Sequence, residues 1–462
     1  MASTTTQPAS VFNGSVPPSK NISSILPPFF FAALFFLCGA DLVFTTRIRG
    51  FNFRWGQLLL LGVAVFSVFQ LFRQNGPSRE RRYLLKKTGL AWTPFALVYV
   101  LAACLSSHPA LGLLKLGWAA FNLGGAALLL LGWPWPSTVQ KGFRWGILSL
   151  AAWVLVQSLC LFVLSGFFQV TGNLALSSSY LLHAHPFGLD IPLGIGQLGD
   201  RPYGVPLYRP CAFYYEPNYL SGALALSLPL LILLEKGTRW YSGWVPGLVI
   251  AAVFLTSSRG GILGCAFVLA VLGTASLLGP LREKRALLLK TILFAGMVLG
   301  LFLTSAQERF FLGYLAGPYG PSTIQQHILT PHTSEGDRLL GLLKGFQSIL
   351  AHPWLGQGYQ PLAADSGMAP GALNTWIEIG LESGFLGLAG FLLGVLCTLG
   401  ASLPRRMDKG TWVILATAGI VLFGINYNLS SNFPRLDYWL LFFLTINLAV
   451  YPNPSEKALD HA

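Results

Sequence analysis

Twelve apolar stretches constrain this chain more than any motif in it. Each is long enough, or nearly so, to cross a hydrocarbon core of about 30 Å at about 1.5 Å per residue. They fall near Ile25–Thr46, Trp55–Phe72, Gly89–Leu105, Ala110–Trp133, Trp145–Phe168, Tyr214–Leu234, Trp244–Thr256, Gly260–Gly279, Leu288–Ala306, Trp376–Leu403, Thr411–Tyr427 and Tyr438–Tyr451. Lipid cannot hydrogen-bond a peptide group, so a crossing segment must satisfy its own backbone, and a helix does so. With 53% hydrophobic and only 10% charged residues, the chain is too apolar for a soluble domain of this length. The expectation is an all-α integral membrane protein of about twelve transmembrane helices, with a large external loop between helices nine and ten.

Charge sets the expected orientation. Seventeen Lys and Arg residues fall in one set of loops, including the 73–87, 282–290 and 405–409 clusters. The opposite loops carry ten over a greater length, among them Arg209, Arg259, Arg338 and Arg435. The richer side is expected in the cytoplasm, with both termini there. The net charge of +13 is thereby a topology signal, and nucleic-acid binding is not needed to explain it. Residues 1–24, rich in Ser, Thr and Pro, are read as a disordered cytoplasmic tail, residues 25–451 as the membrane domain, and residues 452–462 as a second cytoplasmic tail. The cysteines have no metal or redox spacing.

Two long connections are expected outside: Gln169–Phe213 and Gln307–Thr375. Connections of this length beside a bundle are usually functional or partly helical. In the second, Leu339, Leu340, Leu343, Phe346 and Leu350 recur at helical spacing, and Pro353 ends the pattern. The first ends in Arg209-Pro-Cys-Ala-Phe-Tyr-Tyr-Glu216-Pro-Asn218.

Candidate site residues are polar groups at the external edges of apolar spans. Arg259 sits between two spans in Ser257-Ser258-Arg259-Gly260-Gly261, either snorkelling to headgroups or presented toward a cavity. Glu216 fits an ordinary helix start before Pro217; Arg209 has no such account. Arg338 stands next to Asp337, where a surface ion pair competes with a binding role. Three arginines at the ends of separate segments suit a phosphate or diphosphate, whose oxygens a planar guanidinium grips in bidentate fashion. Asn374, Glu378 and Glu382 are spaced by four and share one helix face. Capping accounts for the first two, but Glu382 lies two turns in and must be paired, protonated or solvated. His327 and His332 lie in a polar loop without metal-ligand company. Lys115, one turn inside span four, either snorkels or adds positive charge to the same vestibule.

Taken in order, Arg209 to Asn218, Ser258-Arg259-Gly260, Arg338 followed by Pro353-Trp-Leu-Gly356-Gln-Gly358, and Asn374 to Gly384 resemble the O-antigen ligase and O-antigen polymerase superfamily of polytopic membrane glycosyltransferases. The resemblance implies a polyprenyl-diphosphate-linked glycan donor and a glycan acceptor. It implies inverting transfer at the external face of the bacterial inner membrane, without metal or other cofactor, with the lipid bilayer as partner and room for a chain-length regulator. On that resemblance Arg209, Arg259, Arg338, Glu216 and Glu378 are the catalytic set, and Lys115, Asn218, Asn374, Glu382 and His332 contact substrate. The family's usual histidine before the residue that opens span ten is replaced by Leu373. Glu378, Glu216 or His332 then serves as base, or acceptor deprotonation is late and left to water. The departure, together with Asn374, favours a polymerase over a ligase that transfers glycan to lipid A-core. A flippase or transporter is the alternative of another class.

Overall fold

The structure is a computed structural model that describes residues 28–38, 47–48, 51–52, 56–62, 65, 79–132, 136–164, 170–176, 179–198, 208–214, 216–235, 242–303, 334–359, 374–402, 407–427 and 435–450. The tails 1–24 and 452–462, most of the second expected span, His327, His332 and Leu373 lie outside them.

The described helices are α1 (Pro28–Leu37), α2 (Arg79–Cys104), α3 (Pro109–Gly132), α4 (Pro136–Ser158), α5 (Pro217–Leu234), α6 (Trp244–Leu255), α7 (Arg259–Leu278), α8 (Arg285–Leu303), α9 (Ser334–Ala351), α10 (Thr375–Ser402), α11 (Lys409–Gly419) and α12 (Leu436–Val450). Among the described residues, seven helices are long and apolar enough to cross a membrane by length and composition. The all-α membrane architecture stands. α2 begins ten residues before the apolar stretch that announced it, because the charged run from Arg79 simply continues the helix. α4 and α11 each run on into a π-helical turn, Leu159–Val163 and Ile420–Asn426.

Edge-to-face aromatic packing holds one side of the bundle. Trp92 of α2 meets Phe391 of α10 and Trp439 of α12, each at 5.3 Å between ring centroids, a geometry in which positive ring edges face negative ring faces. Its indole N–H donates to Thr398 Oγ1 at 3.1 Å. The described residues of the Lys/Arg-rich turns after α3, α5 and α7 meet at one end of the bundle, where Arg144 pairs with Glu235 at 2.9 Å and Lys284 donates to the Glu235 carbonyl at 2.6 Å.

The opposite end carries a feature that helical periodicity did not announce. Within Gln169–Phe213 the chain forms an antiparallel sheet of four strands. A two-residue ladder of β1 (Arg47–Ile48) and β2 (Phe51–Asn52) precedes it, and its strands are β3 (Val170–Leu176), β4 (Ser179–Ala184), β5 (Ile191–Leu198) and β6 (Tyr208–Pro210), in sequence order. Leu182 and Ala184 alternate inward along β4, the period of two that a half-buried strand requires, and they pack with Leu193 of β5, where residues 193–196 are all buried. Gln157, fully buried on α4, pins the sheet to the bundle. Its Nε2 donates to the Leu193 carbonyl at 2.6 Å, and its Oε1 accepts from the Ala212 amide at 2.8 Å. We call this the sheet end. The start of α5, the turn between α6 and α7, and the starts of α3, α10 and α12 all lie there by connectivity.

Candidate functional site

Two polar constellations form at the sheet end. The first is built on the turn between α6 and α7. Ser257 adopts φ +52°, a left-handed conformation uncommon for a residue with a Cβ. Ser258 caps α7, its Oγ accepting from the Gly261 amide. Arg209, the middle residue of β6, donates from Nε to the Thr256 carbonyl at 3.1 Å and from Nη2 to the Ser257 carbonyl at 3.0 Å. Those carbonyls close α6 and have no partner inside the helix, so the guanidinium holds the strained turn from outside. Asn218 Oδ1 accepts from Ser258 Oγ at 2.9 Å and lies 3.5 Å from Arg209 Nη2. Arg259 follows as the first residue of α7 and is exposed. The structure thus brings Arg209, Asn218 and Arg259 to one turn, at a helix N-terminus whose dipole favours an anion. Glu216 is the N-cap residue of α5, with extended backbone and no capping bond from its side chain.

The second constellation lies between α2, α3 and α10. Lys115 Nζ sits 2.6 Å from Glu378 Oε1 and 2.6 Å from Glu382 Oε1. Tyr99 Oη donates to Glu382 Oε2 at 2.6 Å, and the Tyr359 ring stands 5.5 Å from the ammonium. Glu378 and Glu382 therefore share one helix face, and Glu382 is paired, as a carboxylate at that depth requires. Lys115 meets two carboxylates, so its charge is more than matched within the cluster. Asn374 Oδ1 caps α10 by accepting the Ile377 amide at 3.0 Å.

A break in α10 places these carboxylates. At Gly384 (φ +65°, ψ −167°) the helix is interrupted, in a region of backbone space that is essentially glycine's alone. The loop after α9 fills the gap. The Phe385 amide donates to the Pro353 carbonyl at 2.7 Å, the Leu386 amide to the Trp354 carbonyl at 3.3 Å, and the Gln357 amide to the Leu381 carbonyl at 2.7 Å. Broken helices survive inside membrane proteins where protein groups satisfy the freed backbone, and here residues 353–357 do so. A Cβ at Gly356 (φ +64°) would lie 2.4 Å from the Leu381 carbonyl oxygen. The Pro-Trp-Leu-Gly-Gln-Gly-Tyr run is thus a plug for α10 that ends by laying Tyr359 over Lys115.

Arg338 lies on α9; its side chain is outside the described residues, as is His332. Sequence reasoning passed over two groups. Arg435, counted only as a loop charge, is 2% exposed. Its Nε and Nη2 bond the two oxygens of fully buried Asp437 at 3.1 and 3.2 Å, and its guanidinium lies 4.1 Å from the Tyr219 ring centroid. It therefore packs against the first turn of α5. An Arg-x-Asp pair opening an apolar span was the available signal. Tyr99, a lone phenol in an apolar helix, gave none.

The fold and these sites define a multi-pass membrane protein with charged groups gathered at one end of an apolar bundle. Residues 245–392 match the family described as O-antigen ligase. This match covers about a third of the chain and supports the O-antigen ligase and polymerase superfamily, whose members are glycosyltransferase-like membrane enzymes. It runs from α6 into α10 and so takes in Arg259, Arg338, the plug, Glu378 and Glu382, while Lys115, Arg209, Asn218 and Arg435 fall outside it. No curated protein matches the chain significantly.

Proposed function

We propose that the protein is a polysaccharide polymerase that joins polyprenyl-diphosphate-linked repeat units at the external face of the bacterial inner membrane. The observation that carries this reading is the α6–α7 turn, where Arg259 and the first amides of α7 stand beside Arg209 and Asn218. The diphosphate binds there. Its bond to the anomeric carbon breaks with the electron pair passing to the phosphate oxygen, and preorganised positive charge stabilises that developing anion. Arg209 keeps the turn in shape, and Arg338 adds to the same anion site. An acceptor hydroxyl attacks from the opposite face of the sugar, which inverts the anomeric centre. Its proton passes to Glu378, Glu216 or His332, or to water after attack. Asn374 and Glu382 line the acceptor path, with Lys115 orienting the two carboxylates. No metal or other cofactor takes part.

Protein reconstituted in vesicles with lipid-linked repeat units should yield a ladder of longer glycans, and Arg259→Ala should abolish it while the protein stays folded. Wild-type chain lengths from Arg259→Ala would sink the proposal. Transfer to lipid A-core in place of a ladder would identify a ligase. Movement of the lipid-linked unit across the bilayer without a new glycosidic bond would identify a flippase.

A further inference from the structure

One face of α9 packs against the membrane domain: Gly345 and Ile349 lie against Ile377 and Gly380 of α10. Beside it runs a second apolar face that the described bundle leaves open. Leu340, Leu343, Phe346 and Leu350 recur at helical spacing and are 43%, 55%, 51% and 55% exposed. Trp354, 68% exposed, extends the row past the helix end. A charged residue, Lys344, is exposed next to the stripe.

The row has a continuation. The Trp354 carbonyl accepts the Leu386 amide, and Phe385 and Leu386 begin the exposed apolar band of α10 that goes on through Leu392, Leu393 and Leu396. That band belongs to a 28-residue helix long and apolar enough to cross a membrane, so hydrocarbon is what covers it. A stripe that joins the band at its end, closes on a tryptophan and has lysine at its margin has the form of a helix lying in the boundary between headgroups and acyl chains. Left in water, an apolar row of this size would be an association surface.

We propose that the apolar face of α9 is seated in the lipid interface, so that part of the segment expected as an external loop is a membrane-surface element. Bilayer lipid is its partner. The proposal does not depend on the reaction assigned above. The seat has a direct mechanical link to the charged cluster, since the plug that follows α9 closes the break in α10 and carries Tyr359 to Lys115.

Nitroxide labels test it. Leu343→Cys, Phe346→Cys, Leu350→Cys and, as control, Lys344→Cys are placed one at a time in a chain whose native cysteines are replaced, then reconstituted in vesicles of phosphatidylcholine and phosphatidylglycerol. The three apolar positions should collide several-fold more with oxygen than with a water-soluble nickel chelate, and the Lys344 position should show the reverse. Nickel excess at all four positions would mean that the face is in water and would overturn the proposal. Protection from both reagents would mean that protein covers it and would overturn it equally. Should the cysteine-replaced chain not fold, the unaltered protein is photolabelled with a phospholipid bearing a diazirine near its headgroup. Adducts within residues 340–354 are expected. Adducts on α10 without any on 340–354 would refute the lipid seat.

Discussion

Replacing Lys115 by methionine removes the one cation that the described residues place against the two carboxylates Glu378 and Glu382. Lys115 and Glu382 side chains are each 8% exposed and Glu378 is 17% exposed, so solvent offers little compensation. Removing one partner of a buried ion pair costs about 3–5 kcal/mol, because the charge left behind has lost its counterion in a poorly solvating site. Here two charges are left, at contact distance from the same vacated position. Lys115→Met should therefore lie at the upper part of that range. Glu382→Gln leaves one lysine facing one glutamate and should cost markedly less. The triple variant Lys115→Met, Glu378→Gln, Glu382→Gln removes all three charges and should recover most of the loss. Titration of the detergent-solubilised protein with SDS, followed by loss of helix, reads the ordering. A cost below about 1 kcal/mol for Lys115→Met, or a triple variant no better than the single, would refute the view that these groups form one compensated unit.

Three further outcomes follow from the geometry. Gly384→Ala should destabilise the protein by at least about 1–3 kcal/mol from backbone conformation alone, since its Cβ would also fall 2.4 Å from the Trp354 carbonyl; the SDS midpoint measures it. Gln157→Leu leaves the Ala212 amide without its side-chain partner at a cost of about 1–3 kcal/mol, while Trp153 Nε1 still donates to the Leu193 carbonyl at 2.9 Å, and hydrogen exchange should rise in residues 208–212 before the helices are affected. Burial raises the Glu235 carboxyl above its ordinary range, with Arg144 and Lys284 opposing the shift. The folded state then holds that proton longer than the unfolded chain, so stability should fall as pH rises from the ordinary glutamate range through the folded value. Glu235→Gln should flatten that part of the stability profile.

Helical periodicity and length made most of the bundle legible, because a lipid-crossing segment has few alternatives to a helix and its end is marked where polar residues resume. Arg209 and Arg259 were legible as candidates because a charged side chain at the edge of an apolar span needs a reason, and Asn218 was legible through the resemblance of the stretch from Arg209 to Asn218. Their meeting at one turn was not, since it depends on β6 folding back against α6, a contact between residues 47 and 48 positions apart. The sheet was obscured by its own irregularity: short strands with glycines and shifts of register between Leu174 and Leu176 and between Leu182 and His183 weaken the alternation that would have announced it. Lys115 was legible as a cation but not as the shared partner of two carboxylates, because α3 and α10 are more than 250 residues apart in sequence at that contact. The Gly356, Gly358 and Gly384 positions stood out as a pattern before their reason was visible. For Gly356 and Gly384 that reason is a loop and a broken helix that must approach more closely than any Cβ allows, and for Gly358 it is the close approach of the same loop to Ala102 and Ser106 at the end of α2.

The break at Gly384 also bears on how the protein fits membranes of different thickness. An unbroken helix of 28 residues that tilts to match a thinner bilayer carries its whole length with it, and any group near its tip sweeps sideways. α10 is instead a short upper rod and a long lower rod with a joint between them. The plug fastens both rods at the joint, the upper at Leu381 and the lower at Phe385 and Leu386, and Asn374 caps the upper one, so a lean of the lower rod to suit the local hydrocarbon is taken up below these bonds. Two carboxylates set on the upper rod should thereby be insulated from bilayer mismatch: exchanging the lipid for one with longer or shorter chains is expected to alter the tilt below Gly384 far more than the spacing between Lys115 and Glu378.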